Sequence, residues 1–329
     1  MRKPTDQGLL GIAVDKTGWW RRFEETAESL GLHHEVFEIE RSDWMDRVDR
    51  YGYVLWRPNL DPPFGEEAKE KIFFMERHLG RRVFPNWSTF WHYDNKRAQA
   101  YFFRRYGVPS PETFVSFLEE DARTYLEGRA LPLVSKRAGG ASSDEVRSLV
   151  DTRAARRELR RVFSRPPLTR ALARLGISLR MSSRSQSGYV LWQEMVPGNR
   201  RDLRVTVIGR RYAFAYYRNN RPGDFRASGS GLIDYEVPTP TREMCYCIGL
   251  CREHDFDSMA FDIVYRGDQF QILEMSYAFV DRLIHQVPGH YTLEDGQLQF
   301  HPGHVWPQEL VVRHVRDQMI ADGAIPDGG

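Results

Sequence analysis

Residues 258–276 read SMAFDIVYRGDQFQILEMS. Two apolar runs flank Arg266-Gly267-Asp268. A glycine-containing turn between such runs predicts a β-hairpin, with strands over 258–265 and 269–274. Each strand carries a carboxylate inside its apolar run: Asp262 between Phe261 and Ile263, Glu274 between Leu273 and Met275. A carboxylate among such neighbours is expensive unless it is paired or binds a cation. Two of them on adjacent strands can converge on Mg²⁺, which takes oxygen ligands and commonly uses one or two carboxylates plus substrate phosphates. The plainer alternative is a pair of outward-facing acids on a half-exposed sheet.

Upstream, 241–254 has helical spacing and holds all three cysteines, Cys245, Cys247 and Cys251, followed by His254. A helix sets Cys247 and Cys251 on one face. The segment is apolar and cysteine is often a small buried residue, so packing is the simpler reading than metal binding. Residues 221–231 form a glycine-containing loop, and 202–208 and 212–217 have strand patterns. The strand over 189–195 breaks at Pro197-Gly198. An exposed edge at Glu194, Met195 and Val196 offers the N–H and C=O groups that an adenine ring needs. Asp202, a little further on, has the chemistry to accept from ribose hydroxyls.

The apolar strand 131–135 ends at Lys136 and runs into Arg137-Ala138-Gly139-Gly140-Ala141-Ser142-Ser143. Glycines such as Gly139 and Gly140 let backbone N–H groups approach phosphate oxygens, and the Ser142 hydroxyl adds a donor. Lys136 adds a point charge. Taken alone, the pattern is also that of an ordinary surface turn. It lacks the Gly-Lys-Ser/Thr of a Walker loop. No Gly-x-Gly-x-x-Gly follows the first strand, so a Rossmann-type dinucleotide site has no support. Residues 151–188 are rich in arginine and poor in acids. They read first as a solvated helical excursion, and second as a basic lid or docking surface for an anionic ligand.

The N-terminal stretch alternates strands (9–14, 34–39, 52–56, 82–84) with helices (19–30, 66–79). That alternation implies parallel pairing in an α/β unit over 1–85. Ligands in open α/β sheets bind beyond the carboxyl ends of the strands. By that rule Arg57 and Asn59 face the crevice, and Arg57 has the fork geometry for a substrate carboxylate. A second unit, 86–190, starts with a helix over 89–105, a strand over 113–117 and a helix over 119–127, with the basic insertion near 151–188. A third, 191–329, ends in a helix over 307–321.

The chain has 329 residues, enough for two or three compact units. Hydrophobic residues make up 41% and charged residues 28%, a soluble globular composition. The 47 basic residues nearly balance the 45 acidic ones, which argues against a nucleic-acid binder with a basic face. Three clustered cysteines make no disulfide framework and fit a reducing compartment. No apolar stretch approaches the ~20 residues of a membrane span, and 9–14 is too short for a signal segment. The expected address is the cytoplasm.

In sequence order these stretches resemble the ATP-grasp superfamily, in particular the branch of ribosomal-protein glutamate ligase and glutathione synthetase. Asp94-Asn95-Lys96, then Tyr106-Gly107-Val108-Pro109 with Pro111-Glu112-Thr113, is similar to the family's Asp-Lys helix leading into Gly-Ile-Pro-x-Pro-x-Thr. Gln193-Glu194-Met195-Val196 matches the adenine-binding strand, and Asp202-Leu203-Arg204 matches Asp-Ile-Arg. Arg218 followed by Gly223-Asp224-Phe225-Arg226 is the most specific match. The family reads Glu-x-Asn where this chain has Glu274-Met275-Ser276, and a serine hydroxyl is the shorter and weaker ligand.

The resemblance implies an N-terminal parallel-sheet domain followed by an ATP-grasp fold, two α+β subdomains gripping ATP. It further implies an ATP- and Mg-dependent ligase that activates a carboxylate as an acyl phosphate and joins it to an amine. Lys96, Lys136, Gly139, Gly140, Ser142, Glu194, Met195, Val196 and Asp202 would hold the nucleotide. Asp262, Glu274 and Ser276 would hold one or two Mg ions. Arg204, Arg218 and Arg226 would stabilise the transferring phosphoryl group, and Arg57 and Asn59 would face substrate. The expected partners are a small-molecule acid and amine, with no nucleic acid and no membrane span; the oligomeric state stays open. An ATP-grasp kinase and a non-catalytic nucleotide binder are the competing readings.

Overall fold

The computed structural model describes residues 6–61, 63–137, 146–163, 188–224, 226–227, 229–236 and 238–327. Gly139, Gly140, Ser142 and the greater part of the arginine-rich stretch lie outside them.

The first sheet has the order β2-β1-β3-β4, with every neighbouring pair parallel. Its strands are β1 (Asp6–Ala13), β2 (His34–Phe37), β3 (Tyr51–Leu55) and β4 (Arg82–Phe84). Parallel sheets need cover on both faces. Leu10, Ile12, Tyr53 and Leu55 enter one core, and Ala13, Tyr51 and Val54 enter another. Helix α1 (Trp19–Ser29) lays Trp19, Phe23 and Ala27, four residues apart, against the first of these. Helices α2 (Trp44–Val48) and α3 (Phe64–Arg77) contribute Val48, Ala68, Ile72 and Met75 to the second.

The small sheet has the order β5-β8-β6-β7, antiparallel throughout. It is built from β5 (Thr113–Ser116), β6 (Leu133–Ser135), β7 (Arg147–Leu149) and β8 (Val190–Glu194). Helices α6 (Glu119–Glu127) and α7 (Thr152–Phe163) cover one face, where Ala122, Ala155 and Leu159 meet Leu133, Val190 and Trp192. The uncovered face turns to the cleft.

The large sheet runs β13-β12-β9-β10-β14-β15, with β11 (Ile233–Asp234) on β10. Its strands are β9 (Arg201–Ile208), β10 (Tyr212–Asn219), β12 (Ser258–Arg266), β13 (Gln269–Ser276), β14 (Gly289–Glu294) and β15 (Gln297–Pro302). Helix α8 (Thr241–Glu253) packs Met244, Cys247, Ile248 and Cys251 on one face, against Val205, Val207, Phe261 and Ile263. Burial pushes the thiols of Cys247 and Cys251 up, as expected of apolar packing residues. Helix α9 (Asp281–His285) and helix α10 (Pro307–Ala321) lie on the other face. Leu310, Val311, Val315 and Met319 of α10 share a core with Leu10 and Tyr53 of the first sheet and Ile208 and Phe214 of the large one. The last helix thereby joins the N-terminal sheet to the large sheet. No described helix is long and apolar enough to cross a membrane.

One expectation is corrected. The helix expected over 89–105 is two helices, α4 (Trp87–Phe90) and α5 (Lys96–Tyr106). The break has a local cause: Asp94 has φ 49, and the Asn95 side chain accepts the Ala98 N–H as an N-cap. The aromatic and histidine-rich stretch between Tyr277 and Pro307 holds α9 and the β14–β15 hairpin.

Candidate active site

A single row of side chains crosses four strands. Glu274 on β13 is paired with Asp262 on β12, Asp262 with Arg204 on β9, and Arg204 with Tyr216 on β10. Residues directly opposed in antiparallel strands share a face, with Cβ atoms roughly 5 Å apart. Asp202 and Arg218 form the next opposed pair between β9 and β10. Ser276 lies across from Ala260, beside Glu274 and on its face.

Two arginines close around Asp262. Arg204 donates to its Oδ1 from Nε at 2.8 Å and from Nη2 at 2.6 Å. Arg218 Nη2 lies 2.8 Å from Oδ2. Arg218 also makes a bidentate fork with Asp202, 2.8 Å from Nε and 2.5 Å from Nη2. Asp202, Arg218 and Asp262 are all buried. Burial works against ionising Asp262, but the two guanidiniums override it and hold its carboxyl down at about 2. For Asp202 burial wins over Arg218, and its carboxyl is raised. Burial opposes the charge of Arg218, yet the two carboxylates raise its affinity for the proton.

Lysines reach this face from two other elements. Lys96 opens α5 and places Nζ 3.2 Å from Glu274 Oε1. Burial disfavours its charge, but Glu274 outweighs burial and raises its pKa. Helix α5 is fixed to the edge of β13 by Gln99, which donates to Met275 O at 2.7 Å and accepts the Met275 N–H at 3.1 Å. Lys136 follows β6 in the small sheet and crosses to the large one. Its Nζ donates to Gln193 Oε1 at 2.6 Å and reaches Leu273 O of β13 at 3.5 Å. Burial lowers Lys136 to about 8, with Glu274 opposing and Lys96 assisting.

These groups line one cleft of about 1000 Å³ between the small and large sheets, reaching Arg57 of the N-terminal unit. Of the residues singled out in the sequence, Lys96, Lys136, Glu194, Met195, Val196, Asp202, Arg204, Arg218, Arg226, Asp262, Glu274, Ser276 and Arg57 all line it. Asn59 does not; its side chain accepts the Asp61 N–H at 3.1 Å. Glu194 turns its carboxylate to Arg266 at 2.9 Å, and its backbone N–H goes to Glu112 O at 2.9 Å. The Arg226 guanidinium is held by Asp224, with Nη2 at 2.8 Å from Oδ2. Ser276 Oγ accepts the Ala278 N–H at 3.1 Å.

Three groups that support the cleft had no role of their own in the sequence reading. Gln193 holds Lys136 and is itself held by donating to Thr113 Oγ1 at 3.0 Å. Tyr216 closes the four-strand row. Gln99 anchors α5. Only Gln193 had a local signal, its inward phase on β8, one residue before Glu194.

The donor set fits magnesium. Asp262 and Glu274 supply hard oxygen ligands from adjacent strands, and phosphates can fill the remaining positions. Three kinds of group therefore meet here: carboxylates for a cation, lysines for phosphates, and arginines oriented by carboxylates. That combination suits phosphoryl transfer, where positioning and charge neutralisation do most of the work.

No protein-family model and no curated protein matches the chain. Solved structures do match. A RiPP-associated ATP-grasp ligase of Chryseobacterium gregarium, in complex with ADP and a leader and core peptide, has a TM-score of 0.57 at 16% identity, covering 94% of this chain and 96% of that one. A RimK-domain ATP-grasp protein of Sphaerobacter thermophilus has a TM-score of 0.55 at 14% identity, covering 81% and 89%. The ATP-grasp ligase PsnB, complexed with a minimal precursor, Mg and ADP, has a TM-score of 0.54 at 14% identity, covering 86% and 93%. The fold of this chain is similar to all three.

Proposed function

We propose that this chain, which has the ATP-grasp fold, is an ATP- and Mg-dependent carboxylate–amine ligase. The observation that carries the reading is the gathering of Lys96, Lys136, Asp262, Glu274, Arg204 and Arg218 onto one cleft face from separate elements. The units at 1–85, 86–190 and 191–329 then act as a substrate-facing domain and the two jaws around the nucleotide. Glu194, Met195 and Val196 lie where β8 gives way to the link into β9 and would take the base; Lys96 and Lys136 would take phosphates. Asp262 and Glu274 would hold magnesium, which when bound neutralises phosphate charge.

A carboxylate oxygen of the acid attacks the γ-phosphorus, the bond to ADP breaks, and an acyl phosphate forms. Arg204 and Arg218 already have their orientation set by Asp262 and Asp202, so their remaining donors face the phosphoryl oxygens without reorganisation. The amine then attacks the acyl carbon, phosphate departs with the C–O electron pair, and the amine releases a proton to solvent. Arg226, braced by Asp224, would steady the leaving phosphate.

The test measures ADP and phosphate release from ATP and Mg with pooled acids, each with and without pooled amines. Of the structurally similar ligases, one was solved with a minimal precursor and another with a leader and core peptide, so short peptides belong in both pools. Acid-dependent ADP release, with phosphate release increased by an amine, is the expected result. ADP release that leaves a stable phosphorylated product would make the chain a kinase. ATP binding with no ADP release from any pool would sink the ligase reading.

A further inference from the structure

Arg57 differs from the other arginines along the cleft. Arg204, Arg218, Arg226 and Arg201 each meet a carboxylate, of Asp262, Asp202, Asp224 and Asp234 respectively. Arg57 meets none among the described residues. Its Nη1 donates to the Tyr277 hydroxyl at 2.9 Å, and its guanidinium carbon lies 5.0 Å from the Trp19 ring and 5.3 Å from the Tyr277 ring. Two ring faces and one hydrogen bond fix the guanidinium while leaving most of its five N–H donors for another partner. Tyr277 is buried, and burial raises its phenol, so it stays neutral and brings no negative charge to Arg57.

Its position separates it from the nucleotide machinery. Arg57 follows β3 at the carboxyl edge of the parallel sheet, where ligands of such sheets bind. Every group assigned above to nucleotide or metal comes from α5, the small sheet or the large sheet. Tyr277, the hydrogen-bond partner of Arg57, follows the end of β13, past Glu274 and Ser276. On the ligase reading the reacting carboxylate sits beside Asp262 and Glu274 on the large sheet, and Arg57 lines the same cleft from the loop after β3. Apolar side chains, Phe279 and Leu283, line the cleft on this side.

We propose that Arg57 grips a second, non-reacting carboxylate of the acid substrate in a bidentate fork, so the substrate is a dicarboxylate. The identity of the reacting carboxylate rests on the ligase reading; the grip of Arg57 does not. Either a free dicarboxylic acid or an acidic peptide segment supplies the same chemistry.

The experiment titrates the Mg–ADP-loaded protein calorimetrically with glutarate, L-glutamate and N-acetyl-Glu-Glu amide, against butyrate and L-glutamine as monocarboxylate controls. Wild-type protein should bind at least one dicarboxylate tenfold or more tighter than its control. Arg57→Gln should abolish that preference, and Arg57→Lys should restore part of it. ADP affinity and the melting temperature of each variant report intact folding. Preference for glutarate or glutamate identifies a free acid, and preference for the blocked dipeptide a peptide segment. Equal binding of mono- and dicarboxylates, no binding of either, or a preference that survives Arg57→Gln overturns the proposal. If the preference depends on Arg57 but no acid promotes ADP release, the ligase reading fails while the dicarboxylate grip stands.

Discussion

Arg204 sends both Nε and Nη2 to the same oxygen of Asp262, at 2.8 and 2.6 Å, and leaves the other oxygen to Arg218. Asp262 is therefore the counter-ion of two guanidiniums as well as a candidate metal ligand, whereas Glu274, among the described ion pairs, meets the single ammonium of Lys96. The two carboxylates should separate experimentally. Removing one partner of a buried ion pair costs about 3–5 kcal/mol, because a charge is left without compensation. Asp262→Ala should fall in that range by urea unfolding, whereas Glu274→Gln, which keeps a hydrogen-bond acceptor and leaves one ammonium rather than two guanidiniums without its partner, should cost less. Both should lose Mg-dependent turnover. Equal stability losses in the two variants would remove the distinction.

Lys136 gives a pH signature. Burial holds its pKa at about 8 in the fold, against the ordinary lysine value of 10.5. Above about pH 8 it loses the charge that attracts phosphates, so Mg–ADP affinity should decline through that range. Stability without nucleotide should move the other way. Between pH 8 and 10.5 the unfolded chain keeps a proton that the folded chain has released, so stability from this group rises with pH. Lys136→Arg should flatten the affinity profile, because arginine stays charged up to about pH 12. Calorimetric ADP titrations from about pH 7.5 to about pH 9.5, above the range where phosphates titrate, check the affinity slope, and urea unfolding of the nucleotide-free protein over the same range checks the stability slope. A wild-type affinity that does not change across pH 8 would remove Lys136 from the phosphate contacts.

Gln193 should matter through Lys136. It accepts from Nζ at 2.6 Å and is braced by Thr113, so the ammonium is held across the cleft mouth rather than free to turn away. A hydrogen bond to a charged group is worth about 1.5–3 kcal/mol. Gln193→Leu should weaken ADP binding by about tenfold, and Thr113→Val by less, because it loosens only the brace. If Gln193→Leu binds ADP as wild type does, Lys136 needs no positioning.

Legibility in the sequence followed contact distance. The β12–β13 hairpin is local, and its two carboxylates stood out as charges in apolar runs. Asp202-Leu203-Arg204 was visible as a motif. The meeting of Arg204 with Asp262 was not, because it depends on β9 lying between β10 and β12, an order no spacing encodes. The same holds for Lys136 and Gln193, on neighbouring strands far apart in sequence. The break in the helix at 91–95 came from Asp94 and Asn95, whose turn and capping preferences the helical spacing around them obscured. The β14–β15 hairpin carried its own signal in Asp295-Gly296, both with positive φ, within a tail dominated by histidines and aromatics.

Ser276 offers the last test. Its hydroxyl accepts the Ala278 N–H at 3.1 Å, closing a local turn that draws the short side chain back toward its own backbone. Yet it occupies the face of Glu274, opposite the small side chain of Ala260, where a longer oxygen ligand has room. An asparagine there would carry a carbonyl toward the carboxylate pair and still accept the same backbone N–H from its side chain. Ser276→Asn should therefore lower the Mg concentration needed for half-maximal turnover several-fold, and Ser276→Ala should leave it near wild type. Magnesium titrations of ADP release decide this. A loss of Mg affinity in Ser276→Ala as large as in Glu274→Gln would instead make the native serine a ligand in its own right.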